Sequence, residues 1–316
     1  MAALGKGDQS SGRLSGRAGE RGIALILVLW VLALLSVIAV GFASNARTEL
    51  LVVRNQIEAA RARAIAEAGI SLAILEMTQM DQERRWIADG RAHVLAYGED
   101  RIQVSVQDEA GKIDLNAAPD ELLEGVLRAV GVEAASARRL VDAIDDWKDP
   151  DDLTRPLGAE GPEYRGAGLP YGPSNGPFLA VDELRLVIGM TPALFERIRP
   201  LVTVYSRSGR INPLTAPPEV IRGLPGVGLD QADLYLAMRS ALDMPRQDML
   251  PALIGAEPYL ARLSTQIVTI RSVGRTVRGG VFVREAVVVL TRTPAAPYRL
   301  LSWRQGDKDP TAETAR

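Results

Sequence analysis

Cysteine is missing altogether, and histidine occurs once, at His93. Without cysteine there are no disulfides, no thiol nucleophile and no thiolate-ligated zinc or iron–sulfur cluster. One histidine leaves no room for a multi-histidine metal site and very little for a His-based triad. Aromatic residues make up 5% of the chain, too few for a platform on which bases or sugars could stack. An excess of charge is missing as well. The 37 Lys+Arg stand against 39 Asp+Glu, and a net charge of −2 argues against a generally basic nucleic-acid binder. Most enzyme classes lose their usual machinery on these counts, so the chain reads as a non-enzyme. Its 316 residues suffice for about two domains with ample core.

What is present begins with an apolar run. Residues 1–21 are small, polar and basic, with Lys6, Arg13, Arg17 and Arg21 against Asp8 and Glu20. The run IALILVLWVLALLSVIAV occupies residues 23–40, and no charge interrupts the chain until Arg47. About 20 apolar residues cross a hydrocarbon core of ~30 Å. The run is too long for a secretory signal core of ~7–15 residues, and no polar face suits it to a buried soluble helix. The basic head sets the N-terminus in the cytoplasm and the remainder outside.

The helical pattern continues past the run. Between Arg47 and Met77 there is no proline, and Leu50, Val53, Ile57, Ala60, Ala64 and Ala68 recur at three- and four-residue steps. Glu58 with Arg61, and Arg63 with Glu67, are spaced to pair on the outer face. Residues 23–77 therefore read as one helix, apolar all round in its first half and amphipathic in its second, where it needs a partner such as a sheet.

Glu20-Arg21-Gly22 stands directly before Ile23. A basic head, a glycine, an apolar span and a long continuing helix resemble the leader of the type IV prepilin-like proteins. The resemblance implies cleavage by a prepilin peptidase between Gly22 and Ile23, and methylation of the new N-terminus. Those proteins usually carry Glu at the fifth mature position, where this chain has Leu27. That departure resembles the large minor pseudopilin K of type II secretion (general secretion pathway protein K). It suits a subunit at the tip of a fibre, with no subunit above it.

Beyond the helix, residues 93–97 and 101–106 flank Gly98-Glu99-Asp100 and read as a β-hairpin, with Ile102, Val104 and Val106 on one face. Residues 266–273 and 281–290 read as a second hairpin, and residues 297–304 as a last strand. Strands at both ends with some 155 residues between them fit a pilin-like sheet interrupted by an inserted domain, an insertion that the pseudopilin K resemblance also implies. The insertion contains a repeat. GKIDLNAAPDELLEGV (residues 111–126) aligns without a gap to GRINPLTAPPEVIRGL (residues 209–224), with identities at 111/209, 113/211, 118/216, 119/217, 121/219 and 125/223. Each unit has a polar cap, a Pro near the first helical turn and a Glu two residues on. Each then reaches a turn and a second helix, over residues 134–147 or 230–242. This resembles the helix-hairpin-helix module. Such modules often bind DNA backbone, but Asp142, Asp145 and Asp146 end one second helix, and Asp230 and Asp233 open the other, so phosphate would be repelled.

Asp142, Asp145, Asp146, Asp149, Asp151 and Asp152 crowd into eleven residues with only Lys148 to oppose them. Residues 153–177 come next, with six Gly and five Pro, and carry Glu160 and Glu163. Such a loop is either a solvated acidic segment or an oxygen-only cation site, for which Ca²⁺ is the natural choice and zinc is not. It lacks the spacing of an EF-hand. A catalytic carboxylate pair finds no accompanying sugar platform or nucleophile. The pseudopilin K resemblance implies bound calcium in an acidic Trp-x-Asp-x-Asp-Asp loop, matched here by Trp147, Asp149, Asp151 and Asp152, with Asp145, Glu160 and Glu163 as further ligands. His93 lies in a strand pattern and reads as a sheet residue. Trp86, Trp147 and Trp303 read as packing residues.

The fold class expected is α+β: a long N-terminal transmembrane pilin helix on an antiparallel sheet, with an inserted all-α domain of two helix-hairpin-helix-like units. The expected parts are a leader (1–22), a membrane-spanning part (23–46), helix and first strands (47–107), the insertion (108–262, acidic loop 142–177), C-terminal strands (263–304) and a flexible tail (305–316). The resemblance implies an inner-membrane tip subunit that initiates or caps the pseudopilus and helps export folded proteins. Its implied partners are the minor pseudopilins I and J, the other pseudopilins and prepilin peptidase, with no nucleic acid. The alternatives are a minor pilin of a type IV pilus-like system and a membrane-anchored helix-hairpin-helix DNA-binding protein.

Overall fold

The structure, a computed structural model, describes residues 18–79, 81, 85–242, 246–262, 264–291, 293 and 295–306. Most of the expected leader and residues 307–316 of the expected tail lie outside these. The chain divides into two compact units, residues 1–57 and 58–316. Helix α1 (Ala18–Thr78) contains Gly22 and Ile23 in its first turns. In the first unit, residues Ala24–Phe42 have a mean hydropathy of 2.9 and are exposed. Among the described residues this is the one helix long and apolar enough to cross a membrane. Its Ser36 hydroxyl donates to the Leu32 carbonyl at 2.8 Å, so the polar group inside the run is satisfied within the helix.

In the second unit, α1 lies on a five-stranded antiparallel sheet. The strands are β1 (Asp89–Tyr97), β2 (Asp100–Asp108) and, much later in the chain, β5 (Ile267–Arg275), β6 (Val281–Leu290) and β7 (Tyr298–Gln305), in the order β1-β2-β5-β6-β7. Both expected hairpins and the last strand form. Gly98, at φ 62°, turns the first hairpin. Gln305 still pairs with Arg284, so the strand runs one residue into the expected tail.

The face that α1 buries differs from the expected stripe. Ala60 and Ala64 are exposed and Ala68 is half-buried, while Ala62, Ile65, Ala66, Ile70, Ala73 and Ile74 are buried. They pack on Ile102, Val104, Val106, Val268, Ile270, Ala286 and Val288. Alanines occupy both faces and cannot decide between them; the isoleucines and a glycine do. A Cβ on Gly69 would stand 2.7 Å from Ile102 Cγ2, and one on Gly274 of β5 2.7 Å from the Ala66 nitrogen. Helix and sheet meet through glycine on both sides. The rotation also moves Glu58 inward, where it faces Arg278 at 3.6 Å. Its expected partner Arg61 pairs with Asp100 at 2.7 Å instead. Arg63 and Glu67 pair as expected at 2.9 Å.

The insertion leaves at the end of β2 and returns at the start of β5, two strands that pair from Arg101↔Arg275 to Asp108↔Val268. It holds β3 (Ile113–Asp114), α2 (Asp120–Ala129), α3 (Ala134–Lys148), α4 (Gly161–Gly166), α5 (Pro192–Ile198), β4 (Val202–Thr203), α6 (Pro218–Arg222) and α7 (Leu229–Ala241). It is therefore not all-α. β3 and β4 pair in parallel, and Ile211 bridges Leu260 in the same sense. These pieces are too short to show a period of two in the sequence. The helix N-caps are Pro119 and Pro217, without side-chain capping, rather than polar residues.

The repeat is geometric as well as sequential. Asp114 Oδ1 accepts the Asn116 N–H at 2.9 Å, and its counterpart Asn212 Oδ1 accepts the Leu214 N–H at 3.1 Å. Ala118 and Ala216 donate back to the carbonyls of Asp114 and Asn212 at 2.9 and 3.0 Å. The two units also pack on each other reciprocally. A Cβ on Gly223 would stand 2.7 Å from the Gly125 carbonyl carbon, and one on Gly125 would strike the Gly223 carbonyl. A Cβ on Gly111 would stand 2.6 Å from the Thr215 carbonyl, and one on Gly209 2.8 Å from the Ala117 oxygen. Residue i of one unit meets residue j of the other, and j meets i, which is the signature of a local two-fold. Gly223→Ala should destabilise the protein by about 1–3 kcal/mol, while Gly166→Ala, with nothing within 4 Å, should be close to neutral. Equal melting temperatures for the two variants would contradict the close contact.

Candidate functional site

The acidic stretch gathers at the C-terminal end of α3. Asp142, Asp146 and Asp149 are spaced four and three residues apart and share one side of that helix and its exit. Asp142 Oδ2 accepts the Leu157 N–H at 3.0 Å. The fully buried Asp146 accepts the Arg155 N–H at 3.2 Å. A Cβ on Gly158 would lie 2.7 Å from Asp146 Cγ, so the returning backbone closes directly over this carboxylate. Asp146 was not among the residues expected from sequence as ligands, although its i+4 spacing from Asp142 was the available signal.

The other carboxylates have separate duties. Asp145 turns aside to Lys148 and Arg155, each at 2.7 Å. Glu163 Oε2 accepts the Glu160 N–H at 2.9 Å and caps α4. Asp151 Oδ1 accepts the Leu153 N–H at 2.9 Å, and Asp152 Oδ1 takes Asn175 Nδ2 at 3.0 Å. Asp145 and Glu163, both expected as ligands, are thus engaged within the protein. The loop itself is less irregular than its composition suggests, because α4 interrupts it.

Glu160 has no such duty. It is 1% exposed, and neither of its carboxylate oxygens receives a hydrogen bond, nor does Asp149 Oδ1. Burial, together with Asp146, Asp149, Asp152 and Asp151, pushes the Glu160 carboxyl up to about 7. Burial and the neighbouring Asp151 raise Asp149. Burial raises Asp146 against the Arg155 and Ala159 amides. Among the described residues no three of these carboxylates close on a single ion-sized point. The donorless buried oxygens of Glu160 and Asp149, ringed by like charge, nevertheless have the chemistry of a hard-cation site, which uses oxygen donors alone. Trp147 lies beneath, 4% exposed, with its ring centroid 6.1 Å from Tyr164 and 6.2 Å from Phe178. It is a packing residue, and so is His93, whose ring stacks on Trp86 at 3.9 Å.

The hairpin between α2 and α3 turns its amides inward. The Gly131 and Val132 N–H groups donate to the carbonyls of Arg128 and Leu127 at 2.9 and 3.0 Å, closing the end of α2. Glu133 accepts the Ala135 and Ser136 N–H groups at the start of α3 and holds its carboxylate where an anion would bind. In the second unit, Gly226 is packed against Gly255, and a Cβ there would stand 2.9 Å from the Gly255 oxygen.

The family model for "Type II secretion system (T2SS), protein K" matches residues 104–207, which run from the middle of β2 through the acidic loop to just past β4. Type II secretion system protein K of Klebsiella pneumoniae is 28% identical over 204 residues, 58% of this chain and 62% of that protein. That of Aeromonas hydrophila is 27% identical over 276 residues, 76% of this chain and 83% of that protein. The chain is thus similar to the type II secretion system protein K family over about three quarters of its length, 76% in the Aeromonas hydrophila comparison. Its fold is similar to a chain in the crystal structure of the GspK-GspI-GspJ complex from the enterotoxigenic Escherichia coli type 2 secretion system. The TM-score is 0.55 at 20% identity, over 81% of this chain and 99% of that one.

The raised Glu160 carboxyl has a pH consequence in cation-free buffer. Its folded pKa of about 7 lies above the ordinary carboxylate value, so the folded state holds an extra proton between the two. Stability from this group is present at low pH and is lost as pH rises through about 7. Glu160→Gln should therefore melt higher than the parent above pH 7.5, and the difference should vanish toward pH 5. Parallel melting curves across that range would contradict it.

Proposed function

We propose that the chain is a minor pseudopilin at the tip of a type II secretion pseudopilus, where it initiates or caps assembly and so helps export folded proteins across the outer membrane. The single observation that carries this reading is the likeness, over 81% of this chain and 99% of that one, to a chain of the GspK-GspI-GspJ complex. On this reading residues 24–42 anchor the chain in the inner membrane, with the basic head cytoplasmic and the rest periplasmic. Prepilin peptidase cuts between Gly22 and Ile23, and the new amine is methylated. Leu27, in place of the usual acidic residue, leaves no counter-charge for a subunit above. The work is mechanical and needs no catalytic group.

The partners on this reading are minor pseudopilins I and J, joined to other pseudopilins below. Leu50, Val53 and Ile57 are 69%, 51% and 60% exposed on α1 and form the apolar face offered to a partner helix. The inward-turned hairpin amides and the acidic openings of α3 and α7 leave the two helix-hairpin-helix-like units as scaffold, without a nucleic-acid role. Full-length chain in detergent should co-purify with minor pseudopilins I and J, and Val53→Asp with Ile57→Asp should abolish that association without lowering the melting temperature of residues 58–316. Failure of the parent chain to associate with either would overturn the reading.

The acidic loop is proposed to take Ca²⁺ through Glu160 and Asp149, with Asp151 and Asp152 beside them and backbone or water oxygens completing the shell. Binding the folded state alone stabilises by about 2.7 kcal/mol at a hundredfold excess over Kd. Ca²⁺ should raise the melting temperature over chelator while Mg²⁺ does not, and Asp149→Asn with Glu160→Gln should lose the rise. A full rise in the double variant would place the ion elsewhere.

A further inference from the structure

The sheet face opposite α1 is polar, and the helical insertion stands over it. Ser105, Gln107, Thr269, Arg271, Glu285 and Arg304 line one wall of a cleft of about 920 Å³, with Val130, Leu201 and Tyr205 of the insertion on the other. The two walls are joined differently at the two ends. At the junction end, where β2 becomes the insertion, the bonds are short, and they are buried or half-buried. Lys112 Nζ lies 2.6 Å from Glu109 Oε1, Thr269 donates to Glu109 at 2.6 Å, and Gln107 Nε2 donates to the Thr215 carbonyl at 2.6 Å. Further up the sheet, about three residues or ~10 Å from the junction rung, the walls meet through charges. Arg199 of the insertion faces Glu285 of β6 at 3.8 Å, and Asp182 of the insertion faces Arg304 of β7 at 3.3 Å, with Arg304 also on Glu285. Acid and base alternate across the gap, and both walls supply one of each.

Asp182 stands five residues beyond the acidic loop, in the short 3₁₀ helix that follows it. Asp152 holds Asn175, and three residues on, Phe178 stacks on Trp147 and is clipped at both its N–H and its carbonyl by Asn116. Four residues further along the chain is Asp182, in the short 3₁₀ helix Val181–Leu186. The carboxylates that repel one another around Glu160 therefore press on the same strap that carries one jaw of the clasp. We infer that Arg199, Glu285, Arg304 and Asp182 form a releasable clasp between the sheet and the insertion, and that a cation in the acidic loop holds it shut by ordering the strap from Asn175 to Asp182. This deepens the cation reading and rests on it. With the ion bound, the insertion is fixed at both ends of the cleft. Without it, the half-exposed Asp182–Arg304 pair is worth little alone, the Arg199–Glu285 contact is long at 3.8 Å, and the insertion pivots at the buried junction while the polar face of the sheet opens to solvent.

The absence of cysteine makes the test direct. Leu179→Cys and Val281→Cys, 82% and 44% exposed, put one spin label on the strap and one at the end of β6 away from the junction. In the detergent-solubilised full chain, Ca²⁺ should give one narrow distance, and chelator a longer and broader distribution. Added to the labelled pair, Asp182→Asn, a change at an exposed side chain, should keep the distribution broad in Ca²⁺ while the calcium-dependent rise in melting temperature persists. Arg304→Lys should restore part of the narrowing that Arg304→Ala removes. A rise in melting temperature with Ca²⁺ but an unchanged distribution would overturn the clasp and leave the cation site standing. No response of either kind would overturn both.

Discussion

Strands β2 and β5 are neighbours in the sheet although the chain between them runs from Glu109 to Gln266. Closing so long an excursion carries an entropic penalty that grows slowly with length, and the eight paired rungs must be held against it. The junction supplies what holds them. Asp108 Oδ1 accepts both the Ala110 N–H at 2.9 Å and the Thr265 hydroxyl at 3.1 Å, which ties the departing strand to the returning one. Directly beyond, Lys112 and Glu109 are buried as a pair with Thr269 between them. A buried pair of this kind fixes geometry more than it stabilises, and losing one partner strands a charge in the interior. Exit and return at one end of the sheet leave the opposite face to α1 and make it apolar, while the face beneath the insertion is polar and charged. The same chain thus builds two cores on two sides of one junction, one of β-branched residues under α1 and one of leucines and aromatics among the short helices.

Within the insertion, the local two-fold explains which repeat positions are identical. Gly111, Gly209, Gly125 and Gly223 stand where the two units touch, backbone against backbone. Pro119 and Pro217 set the entry to α2 and α6. Ile113 and Ile211 each make a parallel bridge to a later segment, Ile113 to Val202 and Ile211 to Leu260. The units therefore share the part that must fit the other copy, and they diverge in the segments that leave their second helices. After α3 comes the acidic loop; at the corresponding offset after α7 stand Gln247, Met249 and Leu250 in place of Asp149, Asp151 and Asp152.

The strands of the sheet, the apolar span and the two repeat units were legible in the sequence because each rests on a period or a turn residue. The face of α1 was not, because alanine at every third or fourth position reads equally well on two sides, and only contact with Ile102 and Ser272 through Gly69 decides. β3 and β4 were invisible for want of length. In the acidic loop the composition announced a cluster, but the roles came from helix phase and from the returning backbone. Asp145 faces Lys148 one turn on, Asp142 and Asp146 serve the amides of Leu157 and Arg155, and Glu163 serves its own helix. Residues of one chemical type are thereby sorted into staples, ion pairs and caps, and no spacing rule distinguishes them beforehand.

That sorting isolates Glu160 and Asp149. Many local choices elsewhere in the insertion agree with the fold: Glu133 and Thr191 cap α3 and α5, Gly131 and Gly226 turn the chain at positive φ, and Asp142 and Asp145 face an amide and a cation. A buried Glu with neither oxygen served breaks that agreement, and natural sequences break it mainly where the break has a use. The conflict lies in the segment between Trp147 and Phe178, whose stacked rings hold the strap to α3 on this side. Trp147 and Phe178 belong to the core of the insertion, and Asn116 clips Phe178 at both its N–H and its carbonyl, so the repulsion is borne beside a well-held anchor. The place where the sequence least obeys its own packing rules is thus a pair of buried carboxylates, Glu160 and Asp149, whose free oxygens face other carboxylates rather than donors.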